Sequence, residues 1–146
     1  MAAVLVAGIG GDGSGTAAAR TAARVATLMN AKLVLVFGYE PSSLGPRGGP
    51  LEEEILAVGQ RAVAAVREEL TAIYPDLEIA SEFVQDRAAD ALIRVADEHQ
   101  AEVIAVGHGG SGPLRGALLG SITYELVHRA PLPVLVVPDD LDDPED

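Results

Sequence analysis

Short apolar runs that alternate with helical stripes restrict the fold of this chain more than any other feature. Residues 4–9, 32–39, 77–84, 103–106 and 133–137 are such runs, and glycine or proline punctuates most of them. At four to eight residues they are too short for helices and apolar enough for strands buried on both faces. Between the first two, Ala18, Ala22, Val25 and Met29 recur every three or four residues and predict one helix. Ser14 or Thr16 is its expected N-cap. Ile55, Val58, Ala62, Val66 and Ile73 mark a second helix over 51–74, with Glu52, Glu53 and Glu54 in its first turn to complement the dipole. Ala88, Leu92, Val95 and His99 mark a third, and residues 121–130 a fourth. Strand and helix in alternation build one parallel sheet with right-handed crossovers and helices on both faces. The expected fold class is therefore α/β, a single-domain open five-stranded sheet.

In such a sheet ligands sit beyond the carboxyl ends of the strands, where the strand order reverses. The segments after the first and fourth runs are both rich in glycine.

At 146 residues the chain makes one domain. Residues 1–138 are expected to be the folded unit, and the almost wholly acidic residues 139–146 a disordered tail. Residues 41–50, rich in Gly, Pro and Ser, read as a surface linker, with a flap over a cleft as the alternative. A formal net charge of −12 speaks against nucleic acid, whose binding needs clustered Lys and Arg, and against anionic membranes. No apolar run approaches the roughly 20 residues of a membrane span. The first residues carry no secretory pattern and cysteine is absent, so a cytoplasmic protein without disulfides or thiolate chemistry is expected.

The segment from Gly107 to Ser121 has the character of a phosphate cradle. Its glycines let main-chain N–H groups approach one set of oxygens, and a helix then opens with its positive end toward them. Ser121 can add a hydroxyl or cap that helix. Arg115 can donate to a phosphate or simply be solvated.

The spacing is more specific: Gly107, two residues, Gly110, nine residues, then Gly120-Ser121, followed by a helix and the last apolar run. In this the chain resembles the universal stress protein family, whose nucleotide-binding members carry that glycine pattern. The resemblance covers the element order over all but the acidic tail. It implies a Rossmann-like sheet of the adenine nucleotide alpha hydrolase type in the order 3-2-1-4-5. It also implies bound ATP, with Mg or Mn held by the phosphates, and a homodimer through residues 133–137. Prolines beside that strand equally suit a monomer with a blunted edge.

Carried over by position, Gly107, Gly110, Gly120 and Ser121 look like phosphate and ribose contacts, with Val106, His108, Ile122 and Thr123 beside them. Gly38 matches the position whose backbone meets adenine, and Phe37 stands where many relatives place a His. Ala7, Gly8 and Ile9 end the first strand of the site, with Asp12 in the following turn. ATP-binding relatives end that strand with an Asp, whereas here Ile9 or Gly10 takes its place and Asp12-Gly13-Ser14 follows a longer turn. That turn either wraps the ligand through its N–H groups or lets Asp12 bond its own backbone. It also bears a faint likeness to an ATP pyrophosphatase loop, and Glu40 to the acidic residue of a dinucleotide site.

The expected function is a nucleotide-dependent regulatory module of the stress response, with no catalytic residue and no protein metal ligand assigned. The alternatives are a slow ATPase, with His108 its nearest candidate base, and a dimeric interaction protein with an empty cleft.

Overall fold

The computed structural model describes residues 3–40, 49–109 and 119–138. Residues 41–48 of the expected linker over 41–50, Gly110, Arg115 and the acidic tail lie outside them. Among the described residues nine elements follow one another: β1 Val4–Gly8, α1 Thr16–Met29, β2 Lys32–Tyr39, α2 Pro50–Ile73, β3 Ile79–Gln85, α3 Ala88–His99, β4 Val103–Gly107, α4 Ser121–Arg129 and β5 Val134–Val137. The five strands form one sheet in the order β3-β2-β1-β4-β5, and every pair is parallel.

The two-residue period of the strands divides the core into two layers. On one face Leu5, Ala7, Ile9, Leu33, Leu35 and Phe37 pack with the small face of α1 (Ala19, Ala22, Ala23 and Ala26) and with Val63, Val66 and Leu70 of α2. On the other, Val6, Val34, Val36, Ile104 and Val106 meet Leu92, Val95 and Ala96 of α3 and Leu126 of α4. Central strands buried on both sides account for the unbroken apolar runs of the sequence. The alanine face brings α1 close to the sheet. Gly59 does the same for α2: a Cβ there would lie 2.2 Å from Cε2 of Phe37, so the ring occupies the space a side chain would take.

Several boundaries differ from the sequence expectation, each for a local reason. Gly15, with φ 89°, is the N-cap of α1, and no side chain caps the helix. Ser14 instead donates its N–H to Asp12 Oδ1 at 2.9 Å, and Thr16 its hydroxyl to the Gly13 carbonyl at 2.6 Å. Neither proposed cap acts as one. Pro50 is not the end of the linker but the opening of α2, where a missing N–H costs nothing. Glu52 and Glu53 lie in the first turn of that helix, and Glu54 falls beyond it. β3 starts at Ile79 because the Leu77 N–H closes a turn on the Tyr74 carbonyl at 3.1 Å. β5 starts at Val134, although the carbonyl of Pro133, a residue without an N–H, still accepts from Ile104 at 3.1 Å. Among the described residues no helix is long and apolar enough to cross a membrane.

Candidate functional site

β1 and β4 are neighbours whose following helices pack on opposite faces of the sheet, so a crevice opens at their carboxyl ends. There a cavity of about 570 Å³ is walled by three groups of residues. Gly8, Ile9, Gly10, Gly11, Asp12, Ser14 and Gly15 supply the first turn. Val36, Phe37 and Gly38 of β2, with Ala88 and Leu92 of α3, form a largely apolar wall. Val106, Gly107, Gly109, Gly120, Ser121, Ile122 and Thr123 complete it.

The first turn is held by its own bonds. The Ile9 N–H donates to the Val36 carbonyl at 2.9 Å, the last link of β1 to β2. Gly10 donates to Ser14 O at 2.9 Å, and Gly13 to Gly10 O at 3.0 Å. The Ser14 N–H, with its hydroxyl second, draws the Asp12 carboxyl below its ordinary range, against a smaller opposite push from burial. Along β2, Gly38 is the next residue after Val36 on the edge facing β1, and β1 has already left the sheet there. Gly38 also lacks a side chain for packing reasons, since a Cβ would meet Ala91 Cβ at 2.9 Å and Ala88 Cα at 3.0 Å.

On the opposite wall the end of β4 and the start of α4 are stitched together. The His108 N–H donates to Val137 O at 2.8 Å, and the Gly120 N–H to His108 O at 3.1 Å. Thr123, 3% exposed, donates its hydroxyl to the Gly107 carbonyl at 2.7 Å. Gly109 sits between these links at φ 75°. The N-cap of α4 is Gly120, no side chain among the described residues caps that helix, and no acidic residue stands in its first turn. The Ser121 hydroxyl therefore does not cap α4, and Ser121 lines the cavity exposed. α1 has the same character at its start: a glycine N-cap, no capping side chain and no acid in the first turn. Two helix N-termini, each with a glycine N-cap on the wall, thus open on one cavity.

Of the site residues expected from the sequence, Gly8, Ile9, Asp12, Gly38, Val106, Gly107, Gly120, Ser121, Ile122 and Thr123 are brought together on this wall. Ala7 is fully buried in the core beneath it. His108 is outside the lining, with its main chain in the β4 to α4 stitching and Nδ1 3.2 Å from the Gly109 carbonyl oxygen. Gly110 lies outside the described residues. Sequence reasoning passed over Val36, Ala88 and Leu92 as wall residues, and placed Gly109, Ser14 and Gly15 in the two glycine-rich segments without assigning them a contact. Val36 could have been found from its two-residue offset to Gly38, but Ala88 and Leu92 join the wall only because α3 packs beside β2. Among the described residues no group of three or more His, Cys, Asp or Glu could hold a metal ion.

Fold and crevice define a doubly wound α/β domain with its site at the switch point of the sheet. The family model described as "Universal stress protein family" matches residues 1–138, and the chain belongs to that family. A universal stress protein of Thermus aquaticus is 34% identical over 128 residues, covering 86% of this chain and 93% of the relative. Among solved structures, a universal stress protein in complex with cAMP superposes with a TM-score of 0.70 at 26% identity, covering 94% of this chain and 97% of that one. The universal stress protein from Archaeoglobus fulgidus in complex with dAMP does so with a TM-score of 0.62 at 20% identity, covering 94% and 98%.

Proposed function

We propose that this protein binds an adenine nucleotide, ATP in the first instance, in the crevice at the carboxyl ends of β1 and β4, and that it acts as a nucleotide-dependent regulatory module. One observation carries the reading: on a strongly acidic chain, the uncapped N-termini of α1 and α4 both open on a glycine-lined cavity. Such ends attract anionic oxygen through main-chain N–H groups whatever the global charge. Two structural relatives hold adenine nucleotides, cAMP in one and dAMP in the other.

In this reading the phosphates lie against Gly107, Gly109, Gly120 and Ser121. The base lies between Gly38 and the apolar wall of Val36, Phe37, Ala88 and Leu92, and the Gly38 main chain supplies its hydrogen bonds. A divalent ion would be carried by the phosphates. Binding without designed turnover is favoured because Asp12, the one titratable side chain on the described wall, already accepts from Ser14.

Isothermal titration with ATP, AMP and cAMP, with and without Mg²⁺, is expected to show binding at roughly micromolar affinity for at least one of them. Mass spectrometry of the denatured protein should find retained nucleotide. No measurable affinity for any of the three would remove the reading.

Dimerisation through β5 is the second part of the proposal. Among the described residues β5 pairs only with β4, and Ile122, Tyr124 and Val127 of the adjacent α4 are exposed. Light scattering coupled to size exclusion is expected to give twice the monomer mass of 15.0 kDa, and a monomer at about 100 µM would end this part.

A further inference from the structure

Asp12 is the one ionisable side chain on the described wall of the cavity, so a direct contact with the base is the obvious role for it. The geometry of the first turn points elsewhere. A Cβ built on Gly10 would lie 2.2 Å from Ser14 Oγ and 2.9 Å from Asp12 Oδ1. Both polar side chains of the turn are therefore folded back onto the bare α-carbon of Gly10. There the carboxylate accepts the Ser14 N–H, an Asx turn closed over two residues. Asp12 and Ser14 line the cavity, but their polar atoms are turned toward the turn itself.

We infer that Asp12 is a positioning residue: its carboxylate holds the Gly10 to Gly15 turn in the shape that forms one wall of the site, and it takes no part in choosing the base. This rests on the nucleotide-binding reading above and adds to it that base choice falls on main chain and shape. The bonds of the turn form a closed set. Asp12 Oδ1 fixes Ser14, Ser14 O accepts from Gly10, Gly10 O accepts from Gly13, and the Thr16 hydroxyl holds Gly13 O. Removing the first link loosens the path from β1 to the start of α1. A ligand then loses contact with the turn whatever its base.

The test is a cycle of two ligands and three proteins. ATP and inosine triphosphate differ in the purine 6-position, an amino group in one and an oxygen in the other. A carboxylate that reads the base must distinguish them, and a turn support cannot. Binding of both is measured by titration calorimetry to the parent protein, to Asp12→Ala and to Asp12→Asn. Asp12→Ala is expected to weaken both ligands equally, by about tenfold, leaving their affinity ratio within about twofold of the parent value. Asp12→Asn keeps an oxygen for the Ser14 N–H and is expected to recover most of that loss.

Two results overturn the inference. One is a fall of about fivefold or more in the ATP to inosine triphosphate ratio in Asp12→Ala, which would make Asp12 a reader of the 6-amino group. The other is unchanged binding of both ligands in Asp12→Ala, which would show that the turn stands without it. Failure of the parent protein to bind either triphosphate is a different outcome, because it overturns the nucleotide reading itself and this inference with it.

Discussion

A Gly15→Ala protein is expected to be the least stable of the single substitutions around the site, losing roughly 3 kcal/mol or more of unfolding free energy. Two causes add. Gly15 has φ 89°, a conformation that costs an L-residue about 1–2 kcal/mol. A Cβ there would also lie 2.2 Å from the carbonyl oxygen of Gly8, which is main chain and cannot rotate away. Nor can Gly8 move as a unit, since it is in register with Val36 of β2 and a Cβ built on it would already lie 3.0 Å from Leu92 Cδ1 of α3. The control is Gly13→Ala. Gly13 has nearly the same φ, 85°, but a Cβ built on it meets nothing within 4 Å. It should cost about 1 kcal/mol, the backbone strain alone. Urea unfolding of both variants separates strain from collision, and equal losses would show that the Gly8 contact does not constrain the turn.

The same residue marks where the sequence could be read and where it could not. Strands were legible because burial on both faces demands apolar side chains at every position, as in 33–36, where nothing is exposed. Helices were legible because one stripe must face the sheet. The N-cap of α1 was misread because hydroxyl preference is a statistical signal from residue chemistry, whereas Gly15 is selected by a distance to Gly8 that exists only after β1 and α1 have packed. Asp12 shows the same limit. Its spacing to Ser14 permitted an Asx turn, but the choice between that and a ligand contact depended on the space left by Gly10. Family spacing pointed to Gly107, Gly120 and Ser121, and the folded chain brings them together on one wall. It did not point to Gly109, because the pattern records which glycines relatives share and not which α-carbon must approach another.

Gly109 is where the second large effect is expected, on binding more than on stability. At φ 75° a Cβ on this residue would lie 2.8 Å from Cα and 3.0 Å from N of Gly120. Both are main-chain atoms, so an alanine must push the start of α4 away from the end of β4. Two hydrogen bonds span that gap, Gly120 N–H to His108 O at 3.1 Å and Thr123 Oγ1 to Gly107 O at 2.7 Å. Both walls of the proposed phosphate cradle shift with it. A nucleotide held by several N–H groups loses all of them together when their spacing changes, so Gly109→Ala is expected to weaken ATP by about thirtyfold or more. The sheet is not involved, and the melting temperature should fall by only about 5 °C. Thr123→Val supplies the contrast. It leaves the Gly109 to Gly120 contact intact but strips a half-buried carbonyl of its donor, so it should cost about 1 kcal/mol or more of stability and weaken binding less. If Gly109→Ala binds ATP like the parent while Thr123→Val does not, the side-chain bond and not the glycine contact sets the cradle.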